Sequence, residues 1–411
     1  MKRKRWYRLD NIGKFYASIE NSTIPKVFRY SAIFIDEIEP NLLQIALKNT
    51  IEIYPNFNVN LKKGLFWYYL DETNKINKVE KENLPICFKI YNDSDDFLYR
   101  ISYYKRKINL EVSHILSDGR GSIEFFKLLI SNYAKLKYDL NIDTTKNNAS
   151  VLEKTEDSFS KYYQKFRLSK KEYQTTYIYK NKKFKNQTLF LECNLNVNDV
   201  LKLAHKYDTT LTGLLVSILI FSFKDELKLS DMNKYIKIDI PVDLRNYFKS
   251  SSSMNFFGLT TISYKFNTKE DTLKDIVKEV NKQLKENLKK EKLCERVNLL
   301  VSFEKNWICK CVPLFLKNIV LNIADMITTQ KSSSCLSNIG VVKLDKLVED
   351  KLQSISVLTS TNGFRFTICT LKDNLCIGIS SRFINNDIIK NFCRYFSSNN
   401  IDMSIDVSEV E

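Results

Sequence analysis

Among the 411 residues of this chain are only two histidines. One of them, His114, is followed four residues later by Asp118 and Gly119, within KINLEVSHILSDGRGSIEFF (Lys107 to Phe126). A neutral imidazole, with an ordinary pKa near about 6.5, is well suited to accept a proton at pH 7. Successive side chains of a strand alternate faces, so Ile108, Leu110, Val112 and His114 share one face. Lys107, Asn109, Glu111 and Ser113 share the other. The imidazole thus ends an apolar row and points inward, Asp118 and Gly119 break the strand, and Gly121-Ser122 opens a helix. A histidine so placed can serve a buried channel as a general base, or it can be a core histidine bonded to backbone. The GRGS that follows is not a dinucleotide loop, because Glu124 stands where the third glycine belongs.

The second histidine, in NDVLKLAHKY, lies on the flank of a helix whose apolar stripe is Val200, Leu203, Ala204 and Tyr207. His205 is expected to face solvent. Nine cysteines occur: Cys87, Cys193, Cys294, Cys309, Cys311, Cys335, Cys369, Cys376 and Cys393. They form no CxxC pair and match no zinc spacing, so no metal is called for. Free thiols in a reducing cytoplasm explain them.

The elements that must position His114 follow from pattern and length. At this length two domains or two joined halves are expected. Apolar residues at 44% and aromatics at 12% supply substantial cores. Lys+Arg at 64 against Asp+Glu at 48 gives a net charge of +16. The lysines are spread along the chain without an arginine-rich tract, which argues against nucleic acid and leaves a phosphorylated ligand open. The basic opening MKRKRWYRLDNIGKFY has no apolar core of a signal peptide. LTGLLVSILIFSF (Leu211 to Phe223) and VPLFLKNIVLNIADMI (Val312 to Ile327) are too short to span a bilayer. They are expected as buried helices, the second with some chance of meeting a membrane or lipid-like substrate.

FRYSAIFIDEI reads as a strand, and the segment entered at Pro40 as a helix with Leu42, Ile45, Ala46 and Asn49 on one stripe. DFLYRISYYKRKINLEVSH reads as a hairpin, and SIEFFKLLISNYAKL as a helix burying Ile123, Phe126, Ile130 and Tyr133. Residues 141–187 turn polar and read as a connecting segment between an N-terminal half, 1–140, and a C-terminal half, 188–411. The second half reads as strands in QTLFLECNLN, KYIKIDIPVDLR, FFGLTTISYKF, SCLSNIGVV, GFRFTICTL and LCIGISSRF. Its helices include a long charged one from Thr272 to Glu291. Hairpins without regular βαβ alternation predict an α+β fold of mixed sheets covered by helices.

SHILSDG resembles the HHxxxDG motif of the chloramphenicol-acetyltransferase-like superfamily, which includes CoA-dependent acyltransferases, nonribosomal peptide condensation domains and alcohol acetyltransferases. IDEIEPNLLQIALKNTIEIYPNFNVNL looks like the early helix of that group, IPVDLRNYF like its vDxR strand, MNFFG like its Asn/Phe/Gly loop and CLSNIGVV like its late SNxG strand. The order is the family's from about Trp6 to Phe396. The resemblance implies two similarly built halves meeting along a tunnel, acyl-CoA as co-substrate with no permanently bound cofactor, and an alcohol, amine or lipid-like acceptor. It implies His114 as general base, with Ser113 in place of the motif's first histidine. Asp118 would be structural, paired with Arg245, which aims the imidazole; the alternatives are a turn residue and an exposed charge. Gly119 would leave space beside the ring. Ser337, Asn338 and Asn255 could contact an oxyanion or ligand, or simply cap and turn the chain. An O-acyltransferase is the first reading. The alternatives are a stand-alone condensation enzyme using an acyl carrier protein, or an inactive ligand-binding relative.

Overall fold

The alternating run before His114 forms β7 (Lys107–Ser113), the third strand of a five-stranded sheet ordered β12-β2-β7-β6-β5. Its companions are β2 (Val27–Phe34), β5 (Val79–Lys81), β6 (Tyr99–Tyr104) and β12 (Leu352–Thr359). A computed structural model describes residues 5–20, 25–145, 149–164, 174–185, 187–268, 270–306, 310–328 and 332–408. Cys309, the first four residues and parts of the polar segment 141–187 lie outside the described residues. A second sheet has seven strands, in the order β10 (Phe257–Tyr264), β9 (Ile236–Asp243), β11 (Ser334–Val341), β13 (Phe364–Leu371), β14 (Asn374–Ser381), β8 (Leu189–Asn196) and β15 (Met403–Val407). A small third sheet joins β1 (Trp6–Arg8), β4 (Tyr68–Glu72) and β3 (Val59–Lys63). Strand β11 runs parallel to both β9 and β13, while β9–β10 and β13–β14 are antiparallel, so the large sheet is mixed.

The two large sheets touch where β12, late in the sequence, sits beside β2 and crosses β13. There the Thr367 hydroxyl donates to the Val357 carbonyl, and the Cys369 thiol to the Ile355 carbonyl at 3.2 Å. Both faces of β7 are buried. Ile108, Leu110 and Val112 enter the main core. On the other face Glu111 accepts from Arg29, Arg100 and the Cys87 N–H. A carboxylate with that many donors is compensated for its loss of water.

The helix Gly119–Tyr138 starts on Asp118, whose Oδ1 accepts from the Gly121 N–H at 2.8 Å, a cap worth about 1 kcal/mol. It buries Ile123, Phe126, Ile130 and Tyr133. Four expectations are corrected. In the helix Pro40–Ile53 the buried stripe is Leu43, Ala46, Leu47 and Thr50, and Ile45 is exposed. The long charged helix runs from Leu273 to Asn287 behind a Thr272–Asp275 capping box, and a separate helix, Lys290–Lys305, follows. The polar segment contributes to a core: Phe159 is fully buried and packs with Phe256, and Lys154 is turned inward to the Ile53 carbonyl. Finally, Leu211–Ser222 is buried on nearly all sides, but Leu314–Thr328 is not. The latter sets Lys317 and Asn322 against the protein, on the carbonyls of Phe66 and Ser18, and leaves Phe315, Ile319, Val320 and Ile323 more than half exposed. No helix among the described residues is long and apolar enough to cross a membrane.

Candidate active site

His114 is the first residue beyond β7, and its N–H donates to the Lys26 carbonyl at 2.8 Å. Its ring is held by aromatic neighbours rather than by charge. It stacks on Tyr16 at 5.1 Å, lies 4.6 Å from Phe28 and 6.3 Å from Phe257 between centroids. The ring is partly exposed, and it borders a cavity of about 520 Å³. One wall of that cavity is the face of the seven-stranded sheet that carries Asp239, Leu259, Cys335, Ser337 and Arg365. The other is formed by Phe28, Tyr30, Val357 and Thr359, on β2 and β12.

The turn after His114 is fixed from the second sheet. Asp118 is buried, and its Oδ2 accepts from Arg245 at 2.9 Å and from the Phe256 N–H at 2.7 Å. Arg245 also reaches Asp243 at 3.0 Å and donates to the carbonyls of Ser252 and Met254. A planar guanidinium presents five donors in a fixed fork, which is what spanning these acceptors requires. One side chain therefore ties the helix start beneath His114 to the loop 252–256. Gly121 permits the contact: a Cβ there would lie 2.1 Å from the Ser253 carbonyl oxygen. At Gly119 a Cβ would meet Ile339 Cδ1 at 3.0 Å and the Tyr30 hydroxyl at 3.2 Å, at the edge of the cavity.

Asn255 does not line the cavity. It is buried, and its amide Nδ2 donates to the His114 carbonyl at 2.9 Å and to Asp10 Oδ2 at 3.0 Å. Asn255 Oδ1 and His114 Nδ1 are both buried without a well-aligned partner. Ser337 and Asn338 do line the cavity, but the Asn338 amide is occupied: Nδ2 donates to Thr212 at 3.0 Å, and Oδ1 accepts from the Gly340 N–H. That bond shapes a β-bulge in which Gly340 takes φ of 87°. Ser113 is buried away from the cavity, its hydroxyl accepting from the Ile115 N–H at 3.3 Å. His205 is exposed and lines a neighbouring cleft that adjoins the cavity at Pro241, Asn246, Asn338 and Ile339.

Enclosure lowers the pKa of His114 to about 4; the nearby Arg365 charge adds to this, while Asp118 and the Asn255 amide pull it back up. The ring is therefore neutral at pH 7, with a lone pair available. Burial pushes the Cys335 thiol up to about 11, so this cavity residue carries no thiolate at neutral pH. Among the described residues no group of three or more His, Cys, Asp or Glu side chains is placed to hold a metal ion. Tyr16, Asp10 and Arg365 escape sequence reasoning. Asp10 alone left a signal, a capping residue just before NIGKFYASI; it accepts from the Gly13 N–H at 2.7 Å.

No protein-family model matches the chain, and no curated protein matches it. Solved structures do. TRI101 of Fusarium graminearum, complexed with coenzyme A and T-2 mycotoxin, superimposes with a TM-score of 0.67 at 11% identity, over 97% of this chain and 99% of that one. The trichothecene 15-O-acetyltransferase TRI3 of Fusarium sporotrichioides gives 0.62 at 10% identity, over 96% and 94%. The starter condensation domain of rhizomide synthetase RzmA gives 0.59 at 10% identity, over 96% and 95%. The class is thereby defined: this is the chloramphenicol-acetyltransferase-like fold, α+β with mixed sheets covered by helices.

Proposed function

We propose that the chain is an acyltransferase that moves an acyl group from acyl-CoA to an acceptor hydroxyl or amine, with His114 as general base. The observation that carries this reading is a neutral imidazole at the border of an internal cavity, on a turn clamped by Asp118 and Arg245. Asn255 is a positioning residue. Its amide holds the His114 carbonyl, and a hydrogen bond from Nδ1–H to its Oδ1, formed as the substrates bind, would fix the tautomer and leave the Nε2 lone pair for the substrate. Nε2 takes the acceptor proton, and the acceptor oxygen or nitrogen attacks the thioester carbonyl carbon. The tetrahedral intermediate then collapses, the C–S bond breaks, and the imidazolium returns its proton to the thiolate. Ser337, which faces the cavity, is the candidate donor to the oxyanion. The donor arrives through the cleft bordered by Lys285 and Asn338, and the acceptor through the opposite end. Holding both substrates beside one base supplies proximity, and no acyl-enzyme is needed.

Free-thiol release from acetyl-CoA and longer acyl-CoAs, measured with a panel of alcohols and amines, tests the reading. Acceptor-dependent release is the expected result. Turnover of carrier-protein-bound thioesters alone would make the chain a condensation enzyme. No turnover of either donor would leave a ligand-binding relative.

A further inference from the structure

Two arginines line the cavity. Arg120 is ion-paired to Glu124 at 3.2 Å. Arg365 is different: it is an exposed residue, and among the described residues the one side-chain hydrogen bond of its guanidinium is to Cys335 Sγ at 3.9 Å. Unlike Arg29, Arg100 and Arg245, which are held by carboxylates, it is a charge presented to the cavity.

Its position follows from strand register. Asp239 pairs with Cys335 across β9 and β11, and Cys335 pairs with Arg365 across β11 and β13. The three side chains form one row on the cavity face, with Cα atoms of Asp239 and Arg365 about 10 Å apart, two strand spacings. Asp239 is engaged by the Thr261 hydroxyl at 2.7 Å and forms no ion pair with Arg365. Asn338, three residues further along β11, borders the neighbouring cleft, whereas Cys335, Arg365 and Asp239 do not. Three residues of strand span about 10 Å. On β9 the cleft reaches Ile240 and Pro241, next to Asp239, but it includes no residue of β13, so Arg365 is the member of the row farthest from the cleft assigned above to the donor. His114 is near enough for the Arg365 charge to act on its ring and on Tyr16, which stacks over it.

We propose that Arg365 is an anion-recognition residue at the acceptor end, and that the acceptor carries a carboxylate besides the hydroxyl or amine that is acylated. This rests on the acyl-transfer reading. A guanidinium binds a carboxylate bidentately, which would fix the acceptor's orientation as well as its affinity.

The test compares wild type, Arg365→Gln and Arg365→Lys with acetyl-CoA and a panel of hydroxy and amino acids, such as 3-hydroxybutyrate, 4-hydroxybenzoate and 4-aminobenzoate. Each acid is paired with its methyl ester. The wild type is expected to prefer an acid over its ester by roughly 10- to 100-fold in kcat/KM, the range of a charge-assisted hydrogen bond. Arg365→Gln should erase that preference by raising KM for the acid, leave KM for acetyl-CoA unchanged, and leave the melting temperature unchanged; Arg365→Lys should restore part of it. Equal use of acid and ester by the wild type would overturn the proposal. So would a defect of Arg365→Gln confined to succinyl-CoA, which would put the carboxylate on the acyl group, or a raised KM for acetyl-CoA. If no acceptor is turned over, the transfer reading fails, and calorimetric binding of the same acids decides the anion site alone. Binding lost in Arg365→Gln would uphold it, and no binding of any acid to the wild type would overturn it.

Discussion

At the residue scale the proposed site is an uncharged imidazole in a largely aromatic setting, on a turn held by charges that do not touch the ring. Burial is the first cause of the low His114 pKa, about 4, so the acid limb of the rate profile should fall there rather than at the ordinary 6.5. We predict kcat/KM flat from pH 8 to about 5 and declining below, with steady-state assays as the check. The same shift bears on stability. A group whose pKa is lower in the folded protein than in the unfolded chain stabilises the fold above the unfolded value, and that stability is lost as pH falls from about 6.5 toward 4. Asp10, raised to about 7 by burial, acts with the opposite sign. Comparing melting of wild type and His114→Gln at pH 7.5 and 4.5 isolates the ring, and the variant should lose less stability on acidification. For the clamp, Arg245→Ala leaves Asp118 buried without its cation. It should cost about 3–5 kcal/mol in denaturant unfolding, since breaking one partner of a buried pair strands the other. The roles of His114 and Asp118 were suggested by SHILSDG. The reach of Arg245 to the carbonyls of Ser252 and Met254 was not legible, because nothing in a one-dimensional string says which acceptors a long side chain will meet.

At the element scale, local periodicity located the hairpin β6–β7 and the helix after Asp118 well, because their apolar positions are set by one packing face. It failed where packing is not amphipathic in the usual sense. Leu314–Thr328 turns a polar side chain inward because the surface it packs on offers backbone carbonyls: Lys317 is buried on the Phe66 carbonyl, while Asn322 reaches the Ser18 carbonyl from an exposed position. The stripe of Pro40–Ile53 was read one residue early, since Leu42 and Leu43 both fit the pattern and only the neighbouring helix decides between them. The start of the helix at Gly119 is constrained more tightly than its sequence suggests. With the Ser253 carbonyl 2.1 Å from where a Cβ would stand, Gly121→Ala should destabilise the protein by about 1–3 kcal/mol, the usual range for overpacking. It should also reduce transfer, because the displaced loop carries Asn255. Chemical denaturation alongside an activity assay would check both.

At the scale of the whole molecule, the cavity exists because one strand from late in the chain completes the early sheet. β12 pairs with β2 along its length and brings Val357 and Thr359 to the wall opposite Arg365. LQSISVLT was not among the strands read from the sequence, and a strand's own pattern does not name its partner, so neither this exchange nor the cavity could be read from sequence. What could be read was the fold class, α+β with mixed sheets covered by helices, from strands and helices that mix without regular βαβ alternation. The arrangement makes base, clamp and both walls depend on contacts between the two sheets. Free-thiol release from acyl-CoA in the presence of an acceptor, compared between wild type and His114→Ala of matched melting temperature, tests the account most directly. A general base contributes about 10²–10⁴-fold. The account predicts a fall in kcat of that size with little change in KM for the donor; equal rates from the two proteins would contradict it.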